Sequence, residues 1–202
     1  MVIVAASDAP QSWKQQAQHI CTGSGDQVAI QAAINANPKG VIELSPGTFN
    51  CDGDVNLSGG TFKGQGPGVT CIKFTDGGRL NSNSSSGQVI SDFRVEGYGY
   101  TYPDWQGVVN IQGPNQTIRN VVGWADHTVQ TVFFVCSNPA VGHPIYNVEF
   151  DNCHADNPRT HGFLHNQWYG SPAQYYTPIG VAEDEPVGVL KLVAASNSFK
   201  SV

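Results

Sequence analysis

Four segments of this 202-residue chain superpose at spacings of 28, 28 and 32 residues, and that repeat limits the folds open to it. Phe62, Ile90, Ile118 and Phe150 share one place in the alignment. Two residues on lie Gly64, Asp92, Asn120 and Asn152, and one further lie Gln65, Phe93, Val121 and Cys153. Each segment carries strand-forming and turn residues without helical periodicity. A unit of this kind cannot bury its inward side chains alone; stacking units buries a continuous column, and each strand then pairs with its equivalent in the next unit. The column Asp92, Asn120, Asn152 reads as a polar ladder at a turn, with side-chain amides satisfying backbone groups. The expectation is an all-β solenoid of short parallel strands; an ordinary β-sandwich is the competing arrangement.

Composition agrees. The chain has 23 Gly, 12 Pro and only 13% charged residues, which suits many short strands joined by turns that accept positive φ. Its length suits a single domain, since one core grows up to roughly 250–300 residues. Before the repeat, residues 2–6 read as a strand, Ser12 as the cap of a helix over residues 13–19, and Asp26 as the N-cap of a helix over residues 27–36. Val28, Ile30, Ala33 and Ile34 give that second helix an apolar face, and Asn37-Pro38 ends it. The chain thus divides into a strand and helix cap (residues 1–39), strand-bearing coils (40–165) and an irregular tail (166–202). The tail holds an aromatic loop at 167–176, an acidic turn at 183–185 and one last strand at 187–193. An open solenoid end templates pairing with another chain, so the tail or a second subunit must cover it; a homo-oligomer through that end is one expectation.

The run Gly25-Asp26-Gln27-Val28-Ala29-Ile30-Gln31-Ala32-Ala33-Ile34, the later Glu43-Leu44-Ser45-Pro46-Gly47-Thr48-Phe49, and Gly64-Gln65-Gly66-Pro67-Gly68-Val69-Thr70 together resemble the entry to pectate-lyase-like β-helix proteins. The likeness covers residues 1–74 and the repeat carries it to about 165. It implies a right-handed parallel β-helix with a small N-terminal α-helical cap. It implies little about activity, because many functions share such folds. The Arg-Pro-x-x-Arg run of the lyases and the Asp-Asp pair of the galacturonases are absent.

If equivalent strands stack about 4.8 Å apart, the segments that follow them share one edge. That edge gathers Tyr100, Tyr102, Trp105, Trp124, Asp126, His127, Asp156, Arg159 and His161. Aromatic faces beside charged groups suit a sugar chain, whose C–H faces pack on rings while its hydroxyls bond to polar groups. Tyr100, Tyr102, Trp105 and Trp124 are the expected ligand-binding residues. Asp126, Asp156, Arg159, His127 and His161 are the candidate catalytic set. A hydrolase would use Asp126 and Asp156 as its two carboxyls, with His127 or His161 tuning proton transfer. A lyase would use Arg159 as base, with Ca²⁺ held by Asp126, Asp151 and Asp156. His154, His161 and His165 fall within twelve residues, but their spacing does not put three imidazoles on one face, and no metal site is expected there.

The leading functional expectation is a carbohydrate-binding or surface or tail-fibre module, and the alternative is a polysaccharide hydrolase or lyase. The net charge of −6 and ten scattered Lys and Arg argue against nucleic acid. No apolar run approaches the roughly 20 residues of a membrane span. The first residues are too short for a signal peptide and have no basic region; the expected location is extracellular, surface or virion-associated. Five widely spaced cysteines, Cys21, Cys51, Cys71, Cys136 and Cys153, fit small buried apolar residues, with a Cys21–Cys51 bridge left open.

Overall fold

The computed structural model describes residues 1–84, 87–100, 107–126, 128, 131–136, 147–156, 161–166, 176–177, 190–195 and 198–200; for residues 136, 161–166, 176–177, 190–195 and 198–200 it describes the backbone only. The chain enters through β1 (Val2–Ala5), a single helical turn α1 (Gln11–Lys14), β2 (His19–Ile20) and α2 (Gln27–Ala36). It then makes five passes. The first is β3 (Val41–Leu44), β4 (Gly47–Cys51) and β5 (Val55–Leu57), and the second is β6 (Gly60–Lys63), β7 (Thr70–Phe74) and β8 (Leu80–Ser82). The third is β9 (Gln88–Gly97) and β10 (Gly107–Ile111), and the fourth is β11 (Gln116–Ala125) and β12 (Thr131–Cys136). The fifth is β13 (Val148–Asp151), β14 (His154–Asp156) and β15 (His161–Asn166). Three short strands follow: β16 (Tyr176–Thr177), β17 (Leu190–Ala195) and β18 (Ser198–Lys200).

Every strand of one pass pairs in parallel with its equivalent in the next. The larger sheet takes β3, β6, β9, β11 and β13 in one arm, and β4, β7, β9, β11 and β14 in the other; the smaller sheet takes β5, β8, β10, β12 and β15. The larger sheet curls because β9 and β11 each run through both arms and bend on the way. The bend falls at Asp92 (φ 64°), Asn120 (φ 51°) and Asn152 (φ 50°), in the left-handed region that Asn and Asp tolerate best. Their side chains form the expected ladder: Asn120 Nδ2 donates to Asp92 Oδ1 at 2.9 Å, and Asn152 Nδ2 to Asn120 Oδ1 at 3.2 Å.

The register agrees with the sequence alignment. Ile42, Phe62, Ile90, Ile118 and Phe150 are successive Cα partners, all buried. Between the sheets this column meets Phe49, Phe74, Phe93, Leu80 and Phe133 in one core. Gly123 is needed there, since a Cβ would lie 2.2 Å from Val132 Cγ1. Gln65 departs from the alignment: instead of following Phe93 and Val121 inward, it donates to Leu44 O and to Glu43 Oε1 from the loop between β6 and β7.

The N-terminal cap differs in two respects. The helix expected over residues 13–19 is cut to α1 because His19 and Ile20 pair with the edge of β1 instead, so Ser12 caps nothing. Asp26 makes no capping bond. It is buried, and its carboxylate accepts the Gly23 and Asn50 N–H groups, tying the loop before α2 to β4. Helix α2 buries Ile30, Ala33 and Ile34 and stands where the smaller sheet would have an earlier strand. The Gln31 side chain accepts Asn56 N–H at 2.8 Å and donates to Asn56 O at 3.1 Å, so one amide satisfies the edge of β5 as a neighbouring strand would. At the other end, β17 and β16 lie antiparallel on β13 and β15, so the tail supplies the cover that the open edges require.

Cys21, Cys51, Cys71 and Cys153 are free thiols, and all but Cys71 are buried. Among the described residues no helix is long and apolar enough to cross a membrane.

Replacing Asn120 tests the bend. Asn120→Val should destabilise by about 2–3 kcal/mol, from left-handed backbone strain and the lost ladder bonds. Asn120→Gly keeps the backbone freedom and should cost less. Urea denaturation midpoints at unchanged slope measure both, and equal losses for the two variants would contradict the conformational part of the account.

Candidate functional site

Strand alternation decides what the second arm of the larger sheet shows to the outside. Phe49, Ile72, Phe74, Phe93, Val95 and Val121 point inward and are buried, so the residues between them point out. Parallel pairing lines these up across strands. One outward row runs Thr48, Cys71, Arg94, Val122, His154, and the next runs Asn50, Lys73, Glu96, Trp124, Asp156. Tyr98 and Asp126 continue β9 and β11 through the N–H bonds Tyr98 to Phe74 O and Asp126 to Gly97 O.

Glu96 organises this face. Arg94 Nε donates to its Oε1 at 2.6 Å, Tyr98 OH donates to its Oε2 at 2.7 Å, and Lys73 Nζ lies 3.6 Å from Oε2. Burial alone would raise the Glu96 pKa, but the bonds from Arg94 and Tyr98 and the charges of Arg94 and Lys73 outweigh it and hold the carboxyl below its ordinary range. The same contact works in reverse on its neighbours. Burial and the Glu96 carboxylate push the Tyr98 phenol up to about 12. Burial and Glu96 also push the Cys71 thiol up to about 12, which keeps that sulfur protonated and unreactive near neutrality.

Aromatic and acid–base groups flank this network. Tyr98 and Trp124 lie with ring centroids 5.1 Å apart, tilted by 46°. On the next strand His154 Nε2 lies 2.5 Å from Asp156 Oδ1. Toward β4, a groove of about 490 Å³ opens between the strands and the 67–69 loop, lined by Thr48, Val69, Cys71, Lys73, Arg94 and Glu96.

The structure brings Trp124, Asp126 and Asp156 of the expected set to this face, each in a different setting. Asp156 stands opposite Trp124 in the register, two positions short of Asp126. Asp126 acts as a turn clasp: its Oδ2 accepts Gly99 N–H at 2.9 Å, and its Oδ1 accepts Thr128 N–H at 3.0 Å and the Thr128 hydroxyl. Burial opposes its charge, but these bonds from Thr128 and Gly99 win and hold its pKa below the ordinary range. Tyr100 lies inside. Its hydroxyl donates to Gly78 O at 2.6 Å, and the Arg79 guanidinium sits 5.1 Å from its ring centroid, so the ring is buried away from any ligand. The backbone of His161 opens β15 in the smaller sheet, opposite Thr131. Tyr102, Trp105, His127 and Arg159 lie outside the described residues.

Asp126, Asp151 and Asp156 do not gather into a Ca²⁺ site: Asp151 pairs with Arg119 in the first arm, beyond the Asn152 bend, and among the described residues no three His, Cys, Asp or Glu side chains cluster as metal ligands. Lys73, Arg94 and Glu96 are not among the residues that the sequence points to, which lie in the segments after the strands. The alternation in Thr70-Cys71-Ile72-Lys73-Phe74 and Phe93-Arg94-Val95-Glu96 carries the signal that finds them.

The Glu96 network makes a pH-dependent contribution to stability. A folded-state pKa below the unfolded value of 4.5 stabilises fully above that value and is lost as pH falls through the folded value. Wild type should therefore exceed Glu96→Gln by about 1 kcal/mol at pH 7, with partial exposure of both cations taken into account. The gap should close below pH 4.5; denaturation from pH 3 to 7 reads it, and a gap constant across that range would refute the network.

Comparison with family models, with curated proteins and with solved structures returns no match to this chain.

Proposed function

We propose that this chain is a short right-handed parallel β-helix of the pectate-lyase-like kind, and that it binds carbohydrate on the outward face of β7, β9, β11 and β14. The handedness rests on the chain's repeated return to a parallel neighbour, a connection that is right-handed in about 98% of cases. The observation that carries the function is the tilted Tyr98–Trp124 pair beside the polar network of Lys73, Arg94 and Glu96 and the 490 Å³ groove. Ring faces take the C–H faces of a pyranose, and the neighbouring carboxylates and cations supply acceptors and donors for its hydroxyls. The four strands span three spacings of about 4.8 Å, about 14 Å in all, so the surface suits a short stretch of a glycan lying across the strands.

Binding is favoured over hydrolysis by the condition of Asp126. A hydrolase needs two carboxyls that face the sugar, one protonated for the leaving group and one ionised. Both oxygens of Asp126 are taken up by Gly99 and Thr128, which suits a structural clasp. The protein is thus read as a surface or tail-fibre type module outside the cell or on a virion.

Trp124→Ala should weaken glycan binding at least tenfold, about 1.4 kcal/mol, with the circular dichroism spectrum unchanged. Titration calorimetry on a ligand first identified by glycan array checks it. Val28→Ala, at an exposed position on α2, is the control; an unaltered affinity in Trp124→Ala would move the ligand elsewhere.

A further inference from the structure

Resting on the glycan-binding reading of this face, we infer a ligand class: the site takes neutral sugar chains and discriminates against uronate or otherwise carboxylated ones. The argument starts from what a sugar carboxylate would need. Arg binds carboxylates through a two-point fork of N–H groups, and a lysine adds a point charge. Lys73 and Arg94 are the cations that the described residues place on this face, and both already face Glu96. Arg94 commits its Nε to Glu96 Oε1 at 2.6 Å, and Lys73 Nζ sits 3.6 Å from Oε2. Tyr98 OH closes on the same carboxylate at 2.7 Å. The anion that a uronate would supply is therefore built into the protein as Glu96, itself only 9% exposed.

Around the aromatic pair the remaining charges repeat the pattern. Asp156 lies opposite Trp124 in the register, and Asp126 follows Trp124 two residues on. A second carboxylate laid on Trp124 meets Glu96, Asp126 and Asp156 at close quarters, in a chain of net charge −6. A hydroxyl meets no such opposition. It can donate to Glu96 or Asp156, and it can accept from the remaining guanidinium N–H groups of Arg94 and from Lys73.

Matched ligands separate this inference from the reading beneath it. An array carries neutral oligosaccharides, uronate-bearing oligosaccharides, and each uronate glycan again after chemical reduction of its carboxyl to a primary alcohol. Neutral and reduced glycans should be retained at least tenfold better than the carboxylated parents in 150 mM salt, and 20 mM salt should widen the difference. Glu96→Gln, verified as folded by its thermal transition, should narrow the gap by freeing Arg94 and Lys73. Lys73→Gln, at a side chain 40% exposed, should widen it and serves if Glu96→Gln unfolds. Parents held as tightly as their reduced forms would overturn the ligand class while leaving glycan binding standing. Retention of no glycan at all would overturn both.

Discussion

In-register parallel pairing between equivalent segments is the interaction on which the rest of this molecule depends. Each pass buries Ile or Phe at the place where the previous pass buried its own, from Ile42 through Phe62, Ile90 and Ile118 to Phe150. A slip of one residue would turn that whole column outward and bring Arg94 and Glu96 inside. Burial on the inner face therefore fixes the outer face too, and the candidate site is a consequence of core packing.

The pairing needs its bends to coincide, and asparagine supplies that. At Asp92, Asn120 and Asn152 the backbone adopts positive φ and the side chains link pass to pass. A second column does the same work before the first arm. Gly59, Gly87, Asn115 and Asn147 all have positive φ, and Asn147 donates to Asn115 at 3.0 Å. On the outer side of the smaller sheet a third ladder runs from Asn110 to Asn81 at 2.8 Å and from Asn81 to Asn56 at 3.1 Å. Amide-to-amide bonds of this kind favour one stacking partner, because a shifted pass would break them.

Much of this was legible in the residues. The Phe62, Ile90, Ile118, Phe150 alignment and the Asp92, Asn120, Asn152 ladder were readable because identical environments in successive passes select similar side chains. The second column, at the same spacings of 28, 28 and 32, is equally present but hidden by its change from Gly to Asn, two residues that both accept positive φ. Local rules failed where tertiary pairing overrode them. Asp26 carries the signature of an N-cap, yet its carboxylate is drawn to the N–H groups of Gly23 and Asn50. Residues 13–19 lose most of their helix to the free edge of β1. For the site, the sequence points to loop residues because loops commonly carry function; here the strand faces hold the groove, and Tyr100 goes to the core. Glu96 was invisible as an organiser since its partners Lys73 and Tyr98 come together only through register and side-chain reach.

Cysteine scanning along β9 and β11 tests this account most directly. Single cysteines at Phe93, Arg94 and Val95, and at Val121, Val122 and Trp124, are alkylated in the folded protein and the rates read by peptide mass spectrometry. The account predicts fast reaction at 94, 122 and 124 and protection at 93, 95 and 121, the two strands alternating in the same phase. Alternation in opposite phase, or none, would contradict the shared register and with it the face on which the functional reading stands.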